Sequence, residues 1–165
     1  MQLHHPEPSD ARWRARWIWY EAPRIHSETA TRPVPSDPQD RVGLFRRIVR
    51  LDAVPDRVPA RVWVDGRYVL WVNGVEVARG PVRSDPRAAH YDVVDLAGHL
   101  TVGANVVAIT ARHFGAATSW WTPVPATYSL GAGSVLFEAL LGDDWLVSDR
   151  TWRCAPGRAW TAVPV

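Results

Sequence analysis

The sequence predicts an all-β fold, an antiparallel β-sandwich or jelly roll, and three observations carry that reading. Short runs of apolar and polar residues in alternation recur along the chain, bounded by Gly, Pro, Asn and Asp, the pattern of strands and turns. One of those turns, Asn73-Gly74, lies between Tyr68-Val69-Leu70-Trp71-Val72 and Val75-Glu76-Val77-Ala78, and Asn-Gly is the strongest short-range hairpin signal. No stretch carries the 3.6-residue apolar period of an amphipathic helix. About eight or nine short strands with turn signals between them imply packed sheets rather than a bundle.

Taken in order, residues 1–12 are polar and contain prolines, and read as a loose terminus. Trp13 to Tyr20 holds three tryptophans and an isoleucine and is expected to pack as a short first strand. From Glu21 to Val42, Pro23, Pro33, Pro35 and Pro38 with few apolar residues make a long loop and exclude a helix. Gly43 to Leu51 places Phe45, Arg47, Val49 and Leu51 on one face and Leu44, Arg46, Ile48 and Arg50 on the other. After Pro55 and Pro59, a strand runs from Arg61 to Asp65 through Val62, Trp63 and Val64.

In the hairpin, a two-residue turn pairs Val72 with Val75, Leu70 with Val77 and Tyr68 with Arg79, and assigns them to the core face. Val69, Trp71, Glu76 and Ala78 share the other face. Gly80-Pro81 ends the hairpin, and Val82 to Ala89 is a polar loop. Tyr91 to Leu96 is a strand whose Asp95 caps the turn that follows. Val106 to His113, almost wholly apolar, fits a central strand buried on both faces. Gly115 to Gly133 is irregular, and Val135 to Leu141 turns at Gly142-Asp143-Asp144 into Trp145 to Ser148. Thr151 to Cys154 is the last short strand. The domain reading is one sandwich over 13–160, with a loose terminus at 1–12, the long loop at 21–42 and a tail at 161–165.

A chain of 165 residues suits one domain and can bury about 70% of its unfolded surface, so a core forms without staples. Cys154 is alone, which excludes an internal disulfide or a cysteine metal cluster and suits a small buried filler. The N-terminus lacks a charged segment followed by an apolar run. No apolar run approaches the roughly 18 residues of a membrane helix. The expectation is a soluble chain with no membrane partner and, if Met1 is its native start, a cytoplasmic one. All 19 basic residues are arginine, which the codon usage of a GC-rich genome explains. The 17 acidic residues interspersed among them leave a net charge of +2 and no basic stripe, which argues against nucleic acid. The ten tryptophans are core residues or platforms for sugar rings, and composition does not separate the two.

The run Asp65-Gly66-Arg67-Tyr68-Val69-Leu70-Trp71-Val72-Asn73-Gly74, followed by Arg79-Gly80-Pro81, is specific. So is Tyr91-Asp92-Val93-Val94-Asp95-Leu96, continuing through Leu100, Gly103 and Asn105-Val106-Val107-Ala108. With Trp17-Ile18-Trp19, Phe45-Arg46-Arg47 and Ser148-Asp149-Arg150-Thr151-Trp152, this ordered set resembles the N-terminal β-sandwich of bacterial α-L-rhamnosidases, glycoside hydrolase family 78. The resemblance covers residues 13–160. It implies a galactose-binding-like jelly roll acting as an accessory domain. Members of that family continue into further sandwich domains and a helical barrel that carries the catalytic carboxylates. The chain is therefore expected to be an isolated accessory domain or a fragment. Its expected partner is a rhamnose-containing glycan or the missing catalytic domain, and an exposed docking face leaves a homodimer open.

Chemistry within the chain itself is not expected. Inverting glycoside hydrolysis needs two carboxyl groups about 6.5–9.5 Å apart. Glu7, Glu21 and Glu28 lie in the terminus and the long loop, Glu76 follows the hairpin turn and Glu138 sits in a strand. Asp85, Asp92 and Asp95 each have a turn or capping explanation. No G-x-S-x-G elbow is present, and the six histidines lack metal spacing, so no catalytic residue, metal or cofactor is assigned. No Ca²⁺ ligand loop is readable. Binding is the better candidate. Trp120 and Trp121 lie in one loop, Arg83, Asp85, His90 and Tyr91 in another loop and strand start, and His113 stands at a strand end within reach of either. Two readings of Trp120-Trp121 stay open: contact with a sugar, or cover for the core edge and docking on the missing domain. An autonomous carbohydrate-binding module and a purely structural interaction module are the alternatives to an accessory domain.

Overall fold

The computed structural model describes residues 12–20, 41–82, 90–114 and 133–160. Nine strands are laid out along them: β1 (Arg41–Leu51), β2 (Pro59–Val64), β3 (Arg67–Val72), β4 (Val75–Gly80), β5 (Asp92–Asp95), β6 (Gly103–His113), β7 (Val135–Leu141), β8 (Asp144–Val147) and β9 (Arg153–Pro156). They form two antiparallel sheets, ordered β4-β3-β6-β1-β9 and β5-β2-β7-β8. Among consecutive strands, β3–β4 and β7–β8 are hairpins within one sheet, and every other connection crosses between the layers. This is the expected all-β antiparallel sandwich.

The period of two builds the core. Phe45, Leu70, Val72, Val107 and Ile109 from one sheet meet Val62, Val64, Phe137 and Ala139 from the other, all buried. Each such large apolar side chain contributes about 1.5–3 kcal/mol on burial. Trp152 closes one end: its ring lies 5.4 Å from that of Phe137, and its indole N–H donates to the Val147 carbonyl at 2.8 Å. The longest ladder joins β1 to β6, from Arg41 opposite His113 to Leu51 opposite Gly103. Between β2 and β3 the chain turns at Gly66, where φ is +128° and a Cβ would overlap the Arg112 carbonyl oxygen. No side chain fits there.

The hairpin turn is of type I′, with φ of 51° at Asn73 and 82° at Gly74. Asn73 does more than tolerate that conformation. Its Nδ2 donates to the His99 carbonyl at 2.9 Å and to Asn105 Oδ1 at 2.8 Å, while its Oδ1 accepts the Val106 N–H at 2.9 Å. Asn105 is buried and in turn binds the Thr101 N–H at 2.8 Å and the Thr101 carbonyl at 2.7 Å. The two asparagines pin the hairpin tip to the turn that opens β6.

Three features depart from the sequence reading. The hairpin register holds at Val72–Val75 and Trp71–Glu76; a bulge between Leu70 and Trp71 then pairs Leu70 with Ala78, Val69 with Arg79 and Tyr68 with Gly80. One extra residue on β4 moves every later side chain to the opposite face. Tyr68, Leu70 and Val72 are buried as expected, but Val75 is 53% exposed at the hairpin tip and Arg79 faces outward. Second, β6 is central, yet its burial alternates: Asn105, Val107, Ile109, Ala111 and His113 are buried while Ala104 and Arg112 are exposed. A two-layer sandwich covers one face of a sheet whatever the strand's position in it. Third, Trp13 to Tyr20 is extended rather than a strand, with a single bridge from Ile18 to Val135. β8 pairs with Glu138–Leu141, so the segment takes only the stretch of β7 that β8 leaves. Arg16 N–H donates to the Ser148 carbonyl at 2.7 Å, and the buried Ser148 hydroxyl donates back to the Arg16 carbonyl at 2.7 Å.

Candidate functional site

The bulge creates the surface of interest. On the outer face of the five-stranded sheet, Arg79, Val69 and Thr110 form one cross-strand row, and Arg67, Arg112 and Val42 form the next. These rows floor a groove of about 650 Å³, walled by Trp160 on one side and by Gly80, Pro81, Val82 and Asp92 on the other. That volume is in the range of small-ligand sites. Trp160 is 56% exposed, and its place is set by backbone: Gly157 N–H donates to the Val42 carbonyl at 2.7 Å, and Trp160 N–H to the Gly157 carbonyl at 3.1 Å. The indole therefore stands beside the apolar floor at Val42.

The far wall is tied across the two sheets. Tyr68 reaches from β3 to β5 and donates its hydroxyl to Asp92 Oδ2 at 2.6 Å, while Val82 N–H lies 3.4 Å from Asp92 Oδ1. Burial first, then the hydrogen bond and charge of Asp92, drives the Tyr68 phenol well above its ordinary value. It stays a donor throughout the usual pH range. Gly80 sits in the angle between them, where a Cβ would overlap Asp92 Oδ2 and press on the Tyr68 ring. The Gly80–Pro81 peptide is cis. Arg67 Nη1 donates to the Pro81 carbonyl at 3.3 Å, the Arg112 guanidinium lies 5.0 Å from the Phe114 ring centre, and Arg79 pairs with Glu76.

A second polar cluster lies on the outer face of the four-stranded sheet. Glu138 is fully buried; its Oε1 takes Arg61 Nε at 2.8 Å as well as Arg61 Nη2, and its Oε2 takes the Arg14 N–H at 2.9 Å. The Arg61 guanidinium lies 4.9 Å from the Trp13 ring and 5.5 Å from the Tyr91 ring, and those rings meet edge-on at 5.4 Å. This cluster fastens the 12–20 segment to the sheet. Two further carboxylates have local work: Asp95 Oδ1 accepts the Val58 and Ala97 N–H groups at 2.9 and 3.0 Å, and Asp149 accepts the Thr151 N–H at 2.8 Å.

Of the residues that the sequence nominates for binding, Arg83, Asp85, Trp120 and Trp121 lie outside the described residues. His90 is exposed, and Tyr91 belongs to the Trp13–Arg61 cluster. His113 is 1% exposed on the core side of β6, with Nδ1 3.2 Å from the Asp65 carbonyl and its ring 6.2 Å from Trp19. Tyr91 and His113 thus stand in different layers. The groove uses instead Arg67, Arg79, Arg112, Asp92, Thr110 and Trp160, none of which the sequence reading nominates. Val82 and Asp92, however, are the near neighbours of the nominated 83–91 segment.

No family model matches the chain, and no curated protein matches it in sequence. Solved structures do. The α-L-rhamnosidase of Streptomyces avermitilis, complexed with L-rhamnose, superposes with a TM-score of 0.56 at 21% identity, over 92% of this chain and 12% of that one. This sandwich is the fold of a domain-sized piece of an α-L-rhamnosidase. The enzyme from Dictyoglumus thermophilum agrees, with a TM-score of 0.57 at 16% identity over 88% of this chain and 17% of that one. The apo lectin of Pleurotus ostreatus gives 0.51 at 19% identity, over 91% of this chain and 35% of the lectin. At these identities the likeness is one of fold, and this chain spans only a small part of each rhamnosidase.

Proposed function

We propose that the chain is a non-catalytic, galactose-binding-like accessory domain of an α-L-rhamnosidase-like enzyme of glycoside hydrolase family 78, and that it holds a glycan in the Arg67–Trp160 groove. The observation that carries this reading is the groove itself. It combines an exposed indole, an apolar floor and fixed polar groups in about 650 Å³, the make-up of a small-ligand site. The ordered motifs of the sequence and the shared rhamnosidase fold support the choice of family. Among the described carboxylates, Glu138, Asp92 and Asp95 accept from protein donors.

Titration calorimetry with L-rhamnose and rhamnose-terminated oligosaccharides tests the reading. Binding in the millimolar range or tighter is expected, weakened severalfold or more by Trp160→Ala, which removes the stacking face. Absence of heat at millimolar sugar sinks it.

A second role belongs to the opposite face. Trp17, 59% exposed and edge-on to Trp63 at 5.1 Å, lies with Val93 and Trp145 on the outer side of the four-stranded sheet. Exposed apolar surface of this kind suits docking on the rest of a larger enzyme. Sedimentation of the chain with Trp17→Ser against the unaltered chain reads it: self-association through this face should fall in the variant.

A further inference from the structure

We infer that Asp92 sets the specificity of the groove: held in place by Tyr68, its carboxylate accepts a hydrogen bond from a hydroxyl of the bound sugar. A ring with that hydroxyl free is then favoured over one in which it is replaced. This rests on the glycan-binding reading above and names the group that reads the sugar.

Three strands from both sheets build the position. Tyr68 of β3 donates its hydroxyl to Oδ2 of Asp92, the first residue of β5, at 2.6 Å. Gly80 of β4 lies in the angle between them, and only a residue without a Cβ leaves room there for Asp92 Oδ2 and the Tyr68 ring. Tyr68 is 3% exposed, so the core around it fixes its ring. Its phenol is pushed well above the ordinary value by burial first and then by Asp92, and so remains a donor. A tie between the sheets needs only one carboxylate oxygen, and that is Oδ2. The claim on Oδ1 is weak: the Val82 N–H lies 3.4 Å away, beyond the roughly 2.7–3.2 Å of a well-formed bond. A carboxylate offers about four lone-pair sites, so Asp92 keeps room for a further donor. Tyr68, Val82 and Asp92 all line the groove.

The lining divides donors from acceptors. Arg67 and Arg79 bring N–H groups and no acceptor. A sugar hydroxyl has a proton to donate as well as lone pairs to offer. Among the described lining residues, the side-chain acceptors for that proton are Asp92 and the hydroxyls of Tyr68 and Thr110. Hydrogen bonds to an ionised acceptor are roughly twice as strong as those to a neutral one, so Asp92 decides. Trp160 walls the groove on the side away from Asp92. A ring seated against the indole therefore turns a hydroxyl edge toward the carboxylate.

The test compares L-rhamnose with its monodeoxyfluoro analogues, in which fluorine keeps the size of a hydroxyl and cannot donate. NMR titration of the whole chain, which follows millimolar and weaker binding, is expected to show at least one analogue bound about tenfold or more weakly than L-rhamnose. Asp92→Asn should weaken L-rhamnose by a similar factor and bring it within about twofold of that analogue. Tyr68→Phe removes only the hydroxyl that holds Asp92. It should narrow the ratio between L-rhamnose and the analogue, which a merely structural loss would leave unchanged. Equal affinity for L-rhamnose and every analogue, or an undiminished preference in Asp92→Asn, overturns the inference and leaves glycan binding standing. An undiminished ratio in Tyr68→Phe overturns the positioning role of Tyr68. No binding of L-rhamnose or any analogue overturns the glycan-binding reading beneath it. Should Asp92→Asn fail to fold, the analogue comparison and Tyr68→Phe decide together.

Discussion

Asn73→Asp separates two explanations of the hairpin tip that sequence treats as one. Asn-Gly and Asp-Gly are both favoured in a type I′ turn, so turn chemistry alone predicts almost no change. The structure predicts a large one. The substitution keeps the oxygen that accepts the Val106 N–H at 2.9 Å, but it replaces the Nδ2 donor that serves His99 O at 2.9 Å and Asn105 Oδ1 at 2.8 Å. Two hydrogen bonds are lost at about 0.5–1.5 kcal/mol each, and a carboxylate oxygen then faces two acceptors without a proton between them. The sum is about 2–4 kcal/mol. Asn73→Gly is the companion variant: it keeps the positive φ and loses the side chain, so it should fall between the two. Urea unfolding followed by tryptophan fluorescence measures both, with a lower midpoint at unchanged slope expected. In heat, about 2–4 kcal/mol corresponds to a fall of roughly 4–16 °C for a domain of this size. If Asn73→Asp unfolds within about 0.5 kcal/mol of the unaltered chain, the pin between Asn73 and Asn105 is not what holds the tip.

Three further perturbations follow from contacts described above. Gly80→Ala places a Cβ against Asp92 Oδ2 and the Tyr68 ring; overpacking of this kind costs about 1–3 kcal/mol, and sugar affinity should fall with the thermal midpoint because the groove wall moves. Glu138→Ala strips the buried partner from Arg61 and the acceptor from the Arg14 N–H; about 3–5 kcal/mol should be lost, and hydrogen exchange should accelerate across residues 12–20, whereas a rise confined to β7 would contradict the fastening role. The Val58 N–H, with the Ala97 N–H and Arg57, holds the Asp95 carboxyl below its ordinary value. A depressed folded value stabilises the protein above the unfolded value of about 4 and is lost as pH falls through the folded one. Asp95→Asn should therefore flatten the acid limb of a stability–pH curve below about pH 4, and an unchanged limb would remove Asp95 from the account.

The layers were legible because burial follows a period of two. Tyr68, Leu70 and Val72 are assigned inward from alternation alone, and each is buried. Asp95 as a cap was legible for the same kind of reason, since its acceptor lies two residues before the Ala97 N–H it serves. What failed was whatever depends on a partner far along the chain. The central position of β6 could be read, but burial on both faces was inferred from apolar content, and content does not say whether a third layer exists. The Trp13–Tyr20 segment looked like a strand because of its tryptophans. Its pairing is limited instead by how much of the β7 edge remains after β8 has taken its share.

The groove was hidden by a single residue. Regular pairing from the Asn73-Gly74 turn sets Arg79 opposite Tyr68, on the core side, where an arginine would be an anomaly. The bulge between Leu70 and Trp71 sets it opposite Val69, on the outer side, in line with Arg67 and Arg112. Bulges with a glycine in the left-handed conformation announce themselves in sequence; this one has Val77 as its extra residue and leaves no such mark. Taken singly, the arginines of the groove carry no site signal, and Trp160 lies past the last predicted strand. Only the register brings residues 42, 67, 79, 112 and 160 to one surface. A bulge in an edge strand is a common way to re-aim a side chain beside a binding surface, and here it does so without disturbing Tyr68, which remains buried and bonded to Asp92. The sheet can therefore present a cationic outer face while the inner face keeps its uninterrupted apolar row.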